Sequence, residues 1–334
     1  MAKNNTQHIE SRQLKRLLHL LFAVAVYTAA AIFLFHPIQS YLNFPKLLIP
    51  LASILAAMGC HILGRRWIPA VDASLLSGFL YGFGPYLLSF KTAHPLAAVG
   101  IALLPWLFCP AALWHKYETP TVARVLIRIL LMAAPFAVLF AWFWLPTLPI
   151  IGPYFLMPQG PRLELADLFA LTGVIDPGSS RIIPGFCSAA LILSLLGTII
   201  FLQTARVGVF VPVLVGVVLA FWDPLGPVSP LVWFALPGLY LAVTAGIAAG
   251  SLPLFGSTDR KWIVICLIAA IIFAAITFDS DFPIPTYFFL LTAVSMSFFL
   301  LFSKFPFRTL QIKKILIAAL ILFNLYIITR PILS

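Results

Sequence analysis

The sequence predicts an all-α protein, a polytopic transmembrane bundle of about eleven helices, and three observations carry that prediction. The chain of 334 residues is 62% hydrophobic and only 9% charged, against about 25% charged residues in soluble globular domains. Apolar runs long enough to cross a hydrocarbon layer of about 30 Å as helices recur along the whole length. The lysines and arginines gather at alternate ends of those runs, which is the asymmetry that sets orientation in a membrane. A water-soluble fold has no means of hiding this much apolar surface.

The first run covers residues 17–36 and follows a polar, basic segment, residues 1–16. It is too long for the apolar part of a signal peptide and no small-residue cleavage site follows it, so it reads as a retained span behind a cytoplasmic tail. Breaks at proline, glycine and charge then give spans at 46–64, 71–90, 95–114, 121–143 and 185–203. Further spans follow at 207–222, 230–250, 261–278, 284–303 and 313–330. Span 207–222 is short and contains Pro212, which a membrane helix tolerates where neighbours or water satisfy the freed carbonyl. Residues 17–334 thus read as one transmembrane bundle, with 145–184 as a long outer-face segment.

With the N-terminus inside, sixteen Lys and Arg residues fall on the cytoplasmic side, among them Arg12, Lys15, Arg16, Arg65, Arg66, Lys313 and Lys314. Five fall on the other: Lys46, Lys91, Arg162, Arg181 and Arg330. Positive residues are retained inside, so the N-terminus is expected in the cytoplasm and, with an odd number of spans, the C-terminus outside. The acids lean outward, with Glu164, Asp167, Asp176, Asp223, Asp279 and Asp281 outside and Glu10, Asp72, Glu118 and Asp259 inside. The net charge of +11 therefore reads as topology, not as a nucleic-acid footprint. The setting expected is a bacterial-type cytoplasmic membrane, with membrane lipids and the protein chains of a membrane complex as partners.

Segment 145–184 is broken by prolines and glycines and carries Glu164, Asp167 and Asp176 between Arg162 and Arg181. Irregular polar backbone at a membrane boundary is a common place for a site. Glu164 and Asp167 share one face of a helical turn, which makes these three acids the candidate catalytic carboxylates. Arg162 and Arg181 are the candidate ligands of a lipid-linked phosphate or anionic headgroup. A metal site would need further ligands that the sequence does not supply, and none is expected. The competing reading is an interfacial helix, LELADLFALTG, with its acids in water and its leucines among lipid headgroups.

Six histidines raise haem or quinone chemistry. His19 and His61 fall near the cytoplasmic ends of neighbouring spans, and His36 and His94 near outer ends, without an in-helix pair at matching depth; no cofactor is expected. Cys60, Cys109, Cys187 and Cys266 show no CxxC pairing and read as small apolar fillers. Ionisable residues in mid-span, the mark of an ion-coupled transporter, are nearly absent; Arg128 is close enough to an end to snorkel. The aromatic clusters Trp142, Phe143 and Trp144, and Trp222 and Trp233, read as interfacial anchors. Small residues at Gly78, Gly82 and Gly84, and at Gly246 and Gly250, permit close helix contact.

One block carries a family likeness. In residues 51–90 a helix ends on Arg65 and Arg66, a turn follows, and a small-residue helix with Ser77 and Gly78 ends at a corner of Gly84, Pro85 and Tyr86. His94 with Pro95, and Leu104 with Pro105, continue the pattern. A second stretch, Leu163 to Gly250, holds LELADLFAL, LSLLGTIIFL and PVSPLVWFALPGLYLAVTAGIAAG. Together they resemble the membrane core of GT-C type glycosyltransferases, which use polyprenyl-phosphate sugars. The resemblance implies an essential acid in the first outer loop and arginines in the later re-entry, for a lipid-linked phosphate. Here the loop HPIQSYLNFPK, His36 to Lys46, has no Asp or Glu, and Phe234–Pro237 has no arginine. The expectation is a non-catalytic scaffold or accessory subunit on a GT-C-like bundle. The alternatives are a sugar transferase drawing its acid from Glu164 or Asp167, and a transporter of a lipid or small molecule.

Overall fold

The computed structural model describes residues 2–37, 40, 46–93, 95–113, 122–144, 188–202, 210–221, 230–251, 257–276, 284–304 and 310–333. Its regular structure is helical, with no strand among the described residues. The first half comprises α1 (Ala2–Leu34), α2 (Leu48–Gly64), α3 (Val71–Gly82), α4 (Pro85–Ala93), α5 (Pro95–Leu113) and α6 (Val122–Trp144). The second comprises α7 (Ser188–Leu202), α8 (Phe210–Phe221), a 3-10 turn (Pro230–Phe234), α9 (Ala235–Ser251), α10 (Ser257–Ile276), α11 (Ile284–Lys304) and α12 (Leu310–Leu333). Every apolar segment expected from the sequence contains a helix.

Proline placement explains several boundaries. Pro85 and Pro95 are the first residues of α4 and α5, and Pro50, Pro212 and Pro237 are each the third residue of their helices. In a first turn the missing N–H has no intrahelical partner to lose. The proline that questioned span 207–222 thus sits where a helix accepts it, and the described helix there is twelve residues.

Two segments depart from expectation. The segment 71–90, expected as one span, is two helices parted at Phe83 and Gly84. Pro85 cannot donate to the preceding turn, and a Cβ at Gly84 would run into the Leu80 carbonyl oxygen. The break lies at the Gly84-Pro85-Tyr86 corner. The second departure is α1, which begins at Ala2 instead of Leu17. Ala2–Arg16 contains neither glycine nor proline, so the helix propagates through the polar segment at little cost per residue.

An inner row of helices runs α5, α2, α3, α9, α7, each packed on the next. Around it, α6 lies on α5, α1 on α2, α8 on α9, and α11 on α7, with α10 against α11 and α12 reaching α4 and α11. The inner row is built of small residues: Ala56, Ala57, Ala98, Ala242, Ala245 and Ala248 are each 1% exposed or less. Among the described residues, two stretches are long and apolar enough to cross a membrane, Leu17–Leu34 and Val232–Ser251; the first is 22% buried in the protein and the second 83%. Shorter apolar helices include Leu48–Gly64, Ala97–Ala112, Ala190–Leu202 and Phe289–Leu301.

Candidate functional site

Among the described residues, a cluster of buried polar groups lies where α2 ends and α3 begins. Arg65 closes α2: its backbone N–H donates to the His61 carbonyl at 3.0 Å, and its guanidinium donates to the carbonyls of Ile68, at 3.1 Å, and Pro69. That turn lays α3 back along α2 and brings Ser74 beside His61, both buried. The Ser74 hydroxyl donates to the His61 carbonyl at 2.9 Å and lies 3.0 Å from His61 Nδ1. A hydroxyl has one proton, so with that proton on the carbonyl the imidazole donates from Nδ1 to Ser74 Oγ. Ser77 donates to the Ser74 carbonyl at 2.7 Å, and the Cys60 thiol lies 3.4 Å from the Ser77 carbonyl.

Glycine makes this proximity possible. A Cβ at Gly64 would sit 3.1 Å from Ser77 Oγ. One turn further, a Cβ at Gly78 would strike the Tyr27 hydroxyl and the Ala57 carbonyl, and one at Gly82 would strike the backbone of Ser53 and Ala57. Tyr27 of α1 donates to the Leu75 carbonyl at 2.9 Å and sets its ring edge-on to His61, with centroids 6.4 Å apart. A histidine within reach of a serine hydroxyl is the geometry of an activated nucleophile. Here the hydroxyl is fully buried and its proton is engaged by a backbone carbonyl, so the arrangement acts as a polar clasp between α1, α2 and α3.

A second junction joins the broken segment to the 3-10 turn before α9. The Tyr86 hydroxyl, just beyond the break, donates to the Val232 carbonyl at 2.9 Å, and its ring packs edge-on to Phe90 and Phe234 at 5.5 and 5.4 Å. Deeper in the bundle, Ser194 donates to the Leu241 carbonyl at 2.7 Å and Tyr240 donates to Thr198 Oγ1 at 3.1 Å, tying α7 to α9.

The acids and arginines singled out in the sequence, Glu164, Asp167, Asp176, Arg162 and Arg181, lie outside the described residues, as do His94 and Cys187. The structure places His61 in the buried clasp, while His19 and His36 are exposed. Cys60 and Cys109 are buried free thiols and Cys266 is half-buried. The close contacts expected at Gly78, Gly82 and Gly246 are present: a Cβ at Gly246 would lie 2.9 Å from both the Ala73 carbonyl and Ser77 Cβ. The anchor reading fails for Trp233, which is 2% exposed and stacks on Phe136 at 6.3 Å. Trp142 is half-buried against Gly100, where its indole fills the space left by the missing side chain. Sequence reasoning passed over Ser74 and the Asp72–Lys314 pair, and named Tyr86 as part of a corner without its contact to Val232. Only Tyr86 had a signal, through its place after Gly84-Pro85.

Among the described residues, no three His, Cys, Asp or Glu side chains converge as a metal site. No protein-family model, curated protein or solved structure matches the chain.

Proposed function

We propose that this chain is a polytopic integral membrane protein that serves as a non-catalytic scaffold or accessory subunit of a membrane complex, built on a GT-C-like bundle. The observation that carries the scaffold reading is direct backbone contact between the inner helices. A Cβ at Gly82 would meet the backbone of α2, and one at Gly197 would meet the Thr244 carbonyl. Helices seated backbone to backbone leave no room for a sugar or a lipid chain at these contacts, α2 with α3 and α7 with α9.

Two features support the membrane reading. Large apolar side chains face outward on the peripheral helices, among them Leu130, Ile265, Ile276, Ile315 and Phe323; a belt of that kind in water would drive aggregation. The long-range contacts also join residues assigned to the same depth by an N-inside alternation of spans: Tyr86 with Val232, Phe33 with Tyr326, and Phe273 with Phe289. The cytoplasmic membrane, with the N-terminus inside and C-terminus outside, is the setting that the lysine and arginine distribution favours.

The test uses Glu164→Gln and Asp167→Asn in the full chain, expressed at native level. The expected outcome is an unchanged cell-envelope glycan profile, with the chain migrating in mild detergent together with stable protein partners. Loss of a glycan in either variant overturns the scaffold reading in favour of a transferase. Migration as a bare monomer removes its basis as well.

A further inference from the structure

We infer that the inner end of α1 and the α2–α3 turn form a binding site for an anionic phospholipid, with its phosphate on the basic residues and its acyl chains along Leu17–Phe22. The inference rests on the membrane reading above and concerns the cytoplasmic face, away from Arg162 and Arg181.

Helix α1 has two regimes. From Ala23 outward it docks, burying Ala23, Tyr27, Ala31 and Leu34 along one stripe. Inward of Ala23 it stands clear: Leu17, Leu18, Leu20, Leu21 and Phe22 are all exposed, as is Leu14 one turn earlier. No other described helix covers this stretch. At about 1.5 Å per residue the 33 residues of α1 reach roughly 50 Å, about 20 Å more than a hydrocarbon layer. The unpartnered part therefore crosses the inner headgroup layer as helix, and its sequence there carries Arg12, Lys15, Arg16 and His19 against the single acid Glu10.

The α2–α3 turn supplies further positive charge at the same face. Arg65 is exposed and its guanidinium is directed at the turn carbonyls. Arg66 is half-buried, with no carboxylate partner among the described residues. Asp72, the acid of this turn, is engaged by Lys314 at 3.3 Å. A bare apolar helix below a docked segment, with a basic sequence inward of it and Arg65 and Arg66 at the adjoining turn, matches a lipid that is apolar along its chains and anionic at its phosphate. An acidic peptide would match the charge and leave the leucines uncovered.

The experiment incubates the full-length protein in detergent with equal amounts of phosphatidylglycerol and phosphatidylcholine of identical acyl chains and reads retained lipid by native mass spectrometry. Phosphatidylglycerol is expected to be kept in preference. Arg66→Gln, and separately Lys15→Gln with Arg16→Gln, should each reduce that preference, by about fivefold per neutralised residue. Arg65 is left in place because it closes the turn, and Lys46→Gln on the opposite face should change nothing. Equal retention of the two lipids, or an unaltered preference in both basic-residue variants, overturns the site. Displacement of phosphatidylglycerol by excess inorganic phosphate would identify a free-anion site instead and also overturns it. Recovery of the chain from cells without detergent removes the membrane reading itself; a chain that needs detergent but shows no lipid preference loses this site alone.

Discussion

Lys314 Nζ lies 3.3 Å from Asp72 Oδ2, joining the start of α12 to the start of α3. The two helices enter the bundle from one end, the end to which the distribution of basic residues assigns both side chains. The partners are 29% and 51% exposed, so the pair is worth at most about 1 kcal/mol, and its value is as a marker of topology. Asp72→Cys and Lys314→Cys in one chain should be bridged by a short bifunctional maleimide. Each cysteine alone should react with an impermeant maleimide in inverted vesicles and stay protected in intact spheroplasts. Labelling from outside would reverse the orientation.

Substituting the contact glycines separates close approach from mere helix composition. Gly82→Ala places a methyl within 2.7 Å of Ala57 Cβ and 2.6 Å of Ala57 N, and backbone does not yield as a side-chain tip does. We expect a loss of about 1–3 kcal/mol, typical of overpacking in a core. Gly238→Ala is the internal control, since no heavy atom lies within 4 Å of its added Cβ. That change should be neutral or stabilise by about 0.5–1 kcal/mol through helix propensity. Chemical denaturation in detergent, followed by helical circular dichroism, measures both, and equal effects at the two positions would refute the close-packing account.

The fold was legible where proline and glycine punctuate the sequence. The turn at Arg65–Ala70 could be read from local chemistry, whereas the break before Pro85 fell inside a segment expected as one span, 71–90, although Gly84 and Pro85 mark it. The extension of α1 to Ala2 was not legible, because polarity and charge at Lys3–Arg16 resemble a tail, while helix continuity depends only on the absence of a breaker. Pairings between distant segments were equally hidden. Nothing in the residues around Asp72 points to Lys314, and Trp233 was misread because an aromatic at a helix end fills a core gap or anchors an interface with the same local pattern. The candidate acids Glu164, Asp167 and Asp176 rest on sequence alone, and the buried clasp around Ser74 took its meaning from a turn geometry that serine spacing does not encode.

That clasp makes its own prediction. Ser74→Ala removes the hydroxyl shared by the His61 carbonyl and Nδ1 and leaves the buried imidazole nitrogen without its partner. A group stranded in this way costs about 1–3 kcal/mol. His61→Leu in the same background removes the stranded group as well, so the double variant should be more stable than Ser74→Ala alone. If instead the two losses add, measured by the same denaturation assay, the pair is not coupled.

The Tyr86 junction distinguishes a hydrogen bond from the ring that delivers it. Tyr86→Phe keeps the packing against Phe90 and Phe234 and removes the hydroxyl that donates to the Val232 carbonyl. A hydrogen bond of this kind contributes about 0.5–1.5 kcal/mol net, so a loss of that size is expected. Tyr86→Ala also empties a fully packed site beside the helix break, and truncating a buried aromatic costs about 3–5 kcal/mol. The ratio between the two variants is the informative quantity. A Phe variant as damaged as the Ala variant would mean that the hydroxyl alone holds the broken segment against the turn before α9. A Phe variant indistinguishable from the unaltered protein would mean that ring packing alone sets the junction, and that the break at Phe83 and Gly84 is held by steric fit.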